Sequence, residues 1–564
     1  MSVVARRPRV NVVAIICVVA ALALAFSAYF WHDLRRNAAV EPFFSGLGDH
    51  SWKVATTSPL AQRYFDQGLA FLYGFNYTEA ARSFEAAASA DPNCAMAYWG
   101  IAIANGDAIN DPVADEPLAK TAIEALETAR ELAPAAPPVE RDLIVALATR
   151  YADPPPADPK PLDRAYAEAM RDVWKTYPDD GDVGALTGQA LMLLHRNGSW
   201  THDGEPEPGT DEVIRTLQSV IAKHPRHPYA VHLLVHVLEA SPNPQLADVA
   251  ADRLRDMAPG LGHLSHMPSH IDIRRGRWQE AVVASEKAVA ADRAYRQLAE
   301  NPGVYCRILM AHDNHMLAYA AAMQGQSQKA TQAIQDLLAD LPADFISEQK
   351  PKLDAFYAMP YELHLRFGRW DLMLAEPEPG GDFPIATAFR HFARSTAFAA
   401  KKDLASAKQE QLLFAATFRP KISDEVLFHR NRATAVLAVG ESMLAGEILY
   451  REGKVDQAIE RLREAANRED ALQYVEPPEW ILPARHALGA TLMDARRFAE
   501  AEAVYREDLR RRPENGWSLF GLSRALRMQK KTAEAAEVTA RLNKVWQHAD
   551  IKLTASCLCL PSKD

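Results

Sequence analysis

Seven of the eighteen histidines lie between residues 232 and 315, and their spacing suits metal binding. Gaps of three or four residues place the histidines of each segment on one face of a helix. The three segments read His232-x3-His236, His263-x2-His266-x3-His270 and His312-x2-His315. Neutral imidazole is the commonest side-chain metal ligand, and such pairs can chelate from one helix. The pattern therefore predicts a metal-binding or catalytic site assembled from three segments.

Acidic and phenolic residues accompany these histidines. Glu239 extends the first segment to His232-x3-His236-x2-Glu239, and Asp313 lies between His312 and His315. Each carboxylate is a candidate ligand, a candidate partner that orients a histidine, or a candidate general base. Histidine with carboxylate or phenol suits zinc, copper or iron better than calcium or magnesium. The sequence leaves open which metal is bound and whether the protein is an enzyme.

The elements that must position these residues are helices. Segments rich in Ala, Leu, Glu and Arg alternate with short breaks containing proline and glycine, and convincing strands are absent. Small and large residues recur at fixed spacing, which lets two helices approach and fills the space between them. Near residue 68 the recurring positions are Gly68, Phe71, Ala80, Phe84, Ala87 and Pro92; near the C-terminus they are Gly489, Ala501, Tyr505 and Pro513.

This spacing resembles the tetratricopeptide repeat of 34 residues, and the resemblance covers most of residues 60–546. It implies an all-α, right-handed solenoid of helical hairpins. In such repeats the second, fifth and ninth residues of the first helix usually line a concave groove. With units starting near residues 228, 262 and 311, those nine positions hold the seven histidines, Tyr229 and Tyr319. The resemblance therefore implies a histidine-lined groove within residues 228–323.

A proline complicates this assignment. The segment GHLSHMPSH, residues 262–270, resembles a motif of the form GHLxHMPxHI in a group of bacterial membrane-anchored tetratricopeptide proteins, for which no activity is implied. Pro268 would kink or break a helix that ran from His263 to His270. If the helix starts only near Pro268, His263 and His266 lie on the preceding loop.

The N-terminus differs from the rest of the chain. Three arginines precede an apolar stretch over residues 10–31, about the length that a membrane-spanning helix needs. We expect an uncleaved signal anchor with its basic end cytoplasmic and the repeats extracytoplasmic, periplasmic if the source is bacterial. A cleaved signal peptide is the alternative, with Ala25, Ser27 and Ala28 as the processing site. The expected divisions are 1–9 basic end, 10–31 transmembrane anchor, 32–59 linker, 60–227 first repeats, 228–345 histidine-rich repeats, 346–546 last repeats and 547–564 tail.

The net charge of −10 argues against nucleic acid as a partner, because phosphate binding requires a basic surface. Two function classes compete. The first is a membrane-anchored, exported protein with a transition metal in the groove, which would include a metal-dependent enzyme. The second is a non-enzymatic scaffold that binds a peptide or partner protein there. A pH-sensing groove and a structural histidine network are weaker alternatives. The single histidines His364, His391 and His429 are expected to be structural, and His486 is a further candidate.

Overall fold

The computed structural model describes residues 41–106, 109, 116–156, 158–195, 198–299, 303–341, 343–379 and 383–558. The predicted basic end, transmembrane anchor and the beginning of the predicted linker lie outside the described residues. Residues 41–58 form an extended segment that leads into the first described helix. From there helices follow one another, joined by short turns.

Up to residue 260 the helices are α1 (Pro59–Tyr73), α2 (Tyr77–Ala90), α3 (Ala95–Ala104), α4 (Glu116–Leu132), α5 (Pro138–Ala148), α6 (Lys160–Thr176), α7 (Gly181–Met192), α8 (Thr210–Lys223), α9 (Pro228–Glu239) and α10 (Asp248–Leu254). The middle contains α11 (Gly262–His266), α12 (Pro268–Arg275), α13 (Trp278–Leu298), α14 (Gly303–Met323), α15 (Ser327–Ala339), α16 (Ala343–Glu348), α17 (Lys350–Arg366), α18 (Trp370–Ala375), α19 (Pro384–Ala400) and α20 (Leu404–Lys421). The last part contains β1 (Leu427–Phe428), β2 (Asn431–Arg432), α21 (Ala433–Arg451), α22 (Val455–Asp470), α23 (Ala484–Asp494), α24 (Phe498–Arg511), α25 (Gly516–Met528) and α26 (Thr532–Val545).

The architecture is all-α, as the sequence predicts, and consecutive helices pack as hairpins. The expectation that strands are absent needs a small correction, since β1 and β2 pair antiparallel in a two-residue ladder with His429 and Arg430 at its tip. Helix α21 is long and apolar enough to cross a membrane, but 61% of its most apolar stretch is buried inside the structure. That burial is typical of a core helix.

The small and large positions pack as the repeat pattern predicts. A Cβ atom added at Gly68 or Gly100 would lie within 3.0 Å of the Phe84 ring, so glycine on both flanking helices makes room for that ring. At the other end of the chain Gly489 and Gly521 make room for the Tyr505 ring in the same way. Close approach of helices therefore depends on glycine at both ends of the array.

Segments far apart in the chain meet because the array curls on itself. The Trp278 indole donates to the carbonyl of Pro513 at 2.9 Å, and the Trp517 indole donates to the carbonyl of Ala322 at 2.9 Å. On the N-terminal side the Tyr295 hydroxyl donates to the Glu79 carboxylate at 2.8 Å. The central helices α11 to α14 consequently have both the first hairpin and the last hairpins as neighbours. Side chains on their inner face lie in an interior.

Candidate metal centre

Helix α9 presents the first histidine segment. Pro228 occupies the first turn, and the His227 side chain accepts from the backbone N–H of Ala230, so the helix start is fixed just before the segment. His232, His236 and Glu239 then follow at intervals of four and three residues on one helix face. His232 is fully buried, and the Glu239 side chain is only 19% exposed.

The proline in the second segment separates two short helices. Helix α11 holds His263 and His266, α12 begins at Pro268 and holds His270, and Met267 between them keeps helical backbone angles. Pro268 therefore stands in the first turn of a helix, where its missing N–H is tolerated. The expectation that His263 and His266 lie on a loop if the helix starts near Pro268 is wrong, because both are helical.

The third segment lies in the middle of a long helix. His312, Asp313 and His315 belong to α14, which begins at Gly303. The expectation that this unit starts near residue 311 is therefore wrong by about two helical turns, because residues 303–310 already form the first part of α14. Since the helix runs straight on through the segment, His312 and His315 still project from it one turn apart.

Six of the seven histidines form two adjacent groups of three. The first trihistidine group consists of His232, His236 and His263, and the second of His266, His270 and His312. Within each group one ligand atom from every histidine lies within 4.8 Å of the other two. Neighbouring rings from the two groups, His263 and His266, have centroids 5.8 Å apart, so the groups adjoin.

One pair of Nε2 atoms lies close together in each group. His236 Nε2 lies 3.4 Å from His263 Nε2 in the first group, and His266 Nε2 lies 2.8 Å from His270 Nε2 in the second. Two ligands at about 2.0–2.1 Å from a tetrahedral metal ion are about 3.3 Å from each other. The first pair already has this separation, whereas the second would open by about 0.5 Å around an ion.

The other ring nitrogen, Nδ1, of several of these histidines faces an oxygen atom. His232 Nδ1 lies 2.7 Å from the Tyr73 carbonyl, which leaves its buried Nε2 without a hydrogen-bond partner. His266 Nδ1 lies 3.3 Å from the Ser269 hydroxyl and 3.4 Å from Asp313 Oδ1. Partners of this kind fix the ring orientation and favour the tautomer whose Nε2 is free to ligate.

Two glutamates face the Nδ1 atoms of His236 and His270. Glu239 lies between the groups, with Oε1 3.9 Å from His236 Nδ1 and Oε2 3.2 Å from His270 Nδ1. Glu476, more than two hundred residues along the chain, places Oε2 3.2 Å from the same His270 Nδ1 and accepts from the Tyr474 hydroxyl at 2.8 Å. The carboxylates therefore support the histidines from outside, and Glu239 contacts both groups.

Burial dominates the electrostatics of the cluster. It lowers the pKa values of His232, His263 and His266 well below their usual range, and it lowers the pKa of His312 to about 3. Burial also opposes the charge of Glu239, but the nearby His270 and His236 imidazoles outweigh that effect and lower its pKa to about 2. Most of the imidazoles are therefore neutral at physiological pH, which is the form that ligates metals.

A pair of buried carboxyl groups adjoins the second group. Asp313 faces His266 on one side and hydrogen-bonds with Asp292 on the other, and burial raises the pKa of Asp292 to about 7. The Asp292 carboxyl fits only because residue 262 is glycine; a Cβ there would lie 1.9 Å from Asp292 Oδ1. A cavity of about 20 Å³, lined in part by His263 and Asp292, has room for about one water molecule.

Three residues predicted for the site lie apart from both groups. His315 contacts His429, with ring centroids 5.9 Å apart, and packs against Phe356. Tyr319 packs against Trp278, with ring centroids 5.9 Å apart. Tyr229 stacks on Tyr73 at 4.3 Å, behind His232. The prediction of an open concave groove also needs correction. The curled array encloses the seven histidines and two tyrosines assigned to the groove, and of these only His236 and His312 are partly exposed.

Sequence reasoning missed several residues that border the site. Phe75 lies against all three rings of the first group, with centroid distances of 4.5, 5.3 and 5.1 Å to His232, His236 and His263. Glu476 reaches the second group from the last part of the chain. His486, considered as a further candidate, pairs instead with Asp508 and Arg366 at a separate buried place. The sequence offers no signal for these contacts, because they join repeats far apart in the chain.

No protein-family model matches the chain, and no curated protein matches it. Solved structures with a similar arrangement of helices include two human IFIT1 dimers, with m7Gppp-AAAA and with PPP-AAAA, each at 12% identity and a TM-score of 0.31. Both comparisons cover 87% of this chain, and 91% and 92% of the IFIT1 chains. The Cut9–Hcn1 hetero-tetramer of the APC/C is similar at 11% identity and a TM-score of 0.31, over 86% of this chain and 73% of the other. Similarity at this level supports no inference about activity or partners.

Proposed function

We propose that this protein binds transition-metal ions in the two trihistidine groups, inside an array that resembles tetratricopeptide repeats. The observation that supports this proposal best is the division of roles between ring nitrogens. The Nδ1 atoms of His232, His266 and His270 face a carbonyl or carboxylate oxygen, while one pair of Nε2 atoms approaches closely in each group. Without metal one Nε2 atom of each close pair donates its proton to the other, and a bound cation would take the place of that proton between them.

The donor set selects among metals. Each group offers three imidazoles, with carboxylates outside, and this favours zinc, copper or iron over calcium and magnesium. Three histidines leave a tetrahedral ion one open position for water or a substrate. We propose that Glu239 and Asp313 orient the histidines, since each already faces a ring nitrogen, and that neither serves as a metal ligand. Two adjacent ions of this kind would support hydrolytic or redox chemistry.

Metal content is the direct test. The full chain, purified in detergent without a histidine tag, is analysed by mass spectrometry of its elements beside the double variant His236→Ala/His266→Ala, which removes one ligand from each group. We expect the variant to lose two metal equivalents. The matched control His202→Ala/His548→Ala removes two exposed histidines outside the groups and should retain all of the metal. Equal metal in both variants, even after reconstitution, would contradict the proposal.

The helical hairpins themselves support a second candidate, a scaffold that binds a partner protein. Arrays of this kind present extended surfaces, and such surfaces commonly hold peptide segments. The burial of the histidines disfavours a peptide at the trihistidine groups, so a partner would bind elsewhere on the array. A chain that contains no metal and still captures one defined partner would favour the scaffold over the metalloprotein.

Residues 10–31 complete the proposal as a membrane anchor that places the repeats outside the cytoplasm. The support is the length and apolar character of that stretch behind its basic end. Fractionation of cells expressing the full chain tests it: the protein should stay with membranes after an alkaline wash, and a variant lacking residues 1–36 should not. Release of the full chain by the wash would contradict the anchor.

A further inference from the structure

Two imidazoles and a carboxylate converge at a second place, on the far side of Tyr73 from the trihistidine groups. His50 Nε2 lies 2.8 Å from Asp182 Oδ1, and His227 Nε2 lies 3.3 Å from the same oxygen. The two imidazole centroids are 4.8 Å apart, and the three candidate ligand atoms all lie within 4.8 Å of one another. His227 and Asp182 are buried, while the His50 side chain is 22% exposed. One side of the cluster is therefore accessible to solvent.

Three distant parts of the chain bring these residues together. His50 belongs to the extended segment 41–58, which is held against the array where the Gly260 amide donates to the Gly46 carbonyl at 2.8 Å. Asp182 lies in the first turn of α7, and His227 stands at the start of α9. Residue 181 must be small, because a Cβ there would lie 2.9 Å from the His227 ring. The tertiary fold therefore brings residues from three separated segments to one oxygen atom.

We propose that His50, Asp182 and His227 form a third metal site, for zinc or iron(II), separate from the two trihistidine groups. Two histidines and one carboxylate are the ligand set of catalytic zinc sites and of non-haem iron(II) sites, and both leave coordination positions open. The partly exposed side at His50 supplies those open positions. The Tyr73 hydroxyl donates to Asp182 Oδ1 at 2.7 Å and holds the carboxylate from outside the site.

Metal binding displaces a proton from Nε2 of both histidines. The proton of His50 Nε2, which is donated to Asp182 Oδ1 at 2.8 Å without metal, is released to solvent at the partly exposed side. On His227 the proton shifts within the ring. Without metal its Nδ1 accepts from the Ala230 N–H at 3.3 Å, which puts the ring proton on Nε2, beside Asp182. A metal ion at Nε2 replaces that proton, Nδ1 becomes protonated, and the capping hydrogen bond to Ala230 is lost. Loss of such a cap corresponds to about fivefold in affinity. A fivefold loss is small beside the total affinity of metal sites with comparable ligands, so the cap does not prevent metal binding.

Tyr73 joins this third site to the first trihistidine group. Its hydroxyl contacts Asp182, and its backbone carbonyl faces His232 Nδ1 at 2.7 Å. The ligands of the two places are nonetheless distinct, because no histidine is shared between them. Occupancy of each can therefore be removed separately by substitution.

The test counts metal equivalents. The full chain without a tag is stripped with a chelator, dialysed against zinc and then against zinc-free buffer, and its metal content is measured. We expect three equivalents in the unaltered chain, two in His50→Ala, one in His236→Ala/His266→Ala and none when all three substitutions are combined. The control His224→Ala removes an exposed histidine three residues from His227 and should retain three equivalents.

Two outcomes would contradict the third site. In one, the His50→Ala chain retains as much zinc as the unaltered chain; in the other, a folded His236→Ala/His266→Ala chain retains no zinc. If that double variant does not fold, cobalt absorption decides, because a third site requires a weaker visible spectrum in His50→Ala than in the His224→Ala control. A different result would contradict the proposed binding of metal by the two trihistidine groups. In that case the double variant would bind as much zinc as the unaltered chain, while His50→Ala would still lose one equivalent.

Discussion

Replacement of Glu239 by glutamine tests whether one carboxylate supports both trihistidine groups. Glutamine preserves the volume and one acceptor oxygen but removes the negative charge that faces His236 and His270. Substitution of a residue that orients a metal-bound histidine typically weakens metal affinity 10- to 100-fold, which corresponds to about 1.4–2.7 kcal/mol. We expect an effect of this size on the first group, because among the described residues the carboxylate that faces His236 is that of Glu239.

The second group should respond less to the same change, because Glu476 also faces His270 Nδ1 at 3.2 Å. We therefore expect Glu239→Gln to weaken the second group by less than tenfold, and Glu476→Gln to weaken the second group while leaving the first unchanged. This reciprocal pair of variants is more informative than either alone. Loss of general stability would affect both groups equally in both variants.

The assay isolates each group. Every chain compared also carries His50→Ala, so that the third site does not contribute. On that background His312→Ala leaves the first group intact and His232→Ala leaves the second intact, and affinity for zinc is measured in each by competition with a chromophoric chelator. Glu376→Gln, which changes a carboxylate paired with His364 outside the cluster, serves as the matched control. Folding is checked by circular dichroism. The reasoning is refuted if Glu239→Gln leaves the first group within twofold of its original affinity in a folded chain.

Three further predictions concern stability and packing. Burial raises the pKa of Glu479 to about 7. Above that pH its ionisation opposes folding by up to about 3 kcal/mol, and below about pH 4.5 it has no effect. Glu479→Gln should therefore stabilise the chain in urea unfolding at pH 8 and not at pH 4.5, with Glu425→Gln as an exposed control. Gly262→Ala should displace the Asp292 carboxyl and reduce metal retention by the second group, measured as zinc content, while Gly453→Ala, at an open surface turn, should not. Phe84→Ala should lower the free energy of unfolding by about 3–5 kcal/mol in urea titrations, because that ring fills the space between two glycines; a loss below 1 kcal/mol would contradict the packing described.

The sequence predicts the helical hairpins well because their determinants are local. Glycine at residue 68 and phenylalanine at residue 84 belong to one hairpin, and their spacing alone indicates that the two helices pack closely. The spacing of His232, His236 and Glu239 likewise identifies a common helix face. Even the position of Pro268 is informative, since a proline is compatible with the first turn of a second helix.

The remaining features depend on the curvature of the whole array. Whether His315 joins the second group or turns toward His429 depends on where the β1–β2 hairpin lies, and no local pattern specifies that. Glu476 reaches His270 across more than two hundred residues only because small rotations between successive hairpins accumulate. The same accumulation brings His50 to Asp182. Such contacts are consequences of global shape and are not visible in residue spacing.

Curling of the array also changes what the histidines can bind. An open concave groove accommodates a peptide, but contacts such as Trp278 to Pro513 and Trp517 to Ala322 close the array around α11 to α14. The enclosed imidazoles lose water, and this burial lowers the pKa values of His232 and His266 so that they stay neutral. Neutral, oriented imidazoles such as these, beside the charged Glu239 carboxylate, suit a small cation far better than a chain segment. The enclosure that excludes a peptide therefore supports the proposal that these histidines bind metal ions.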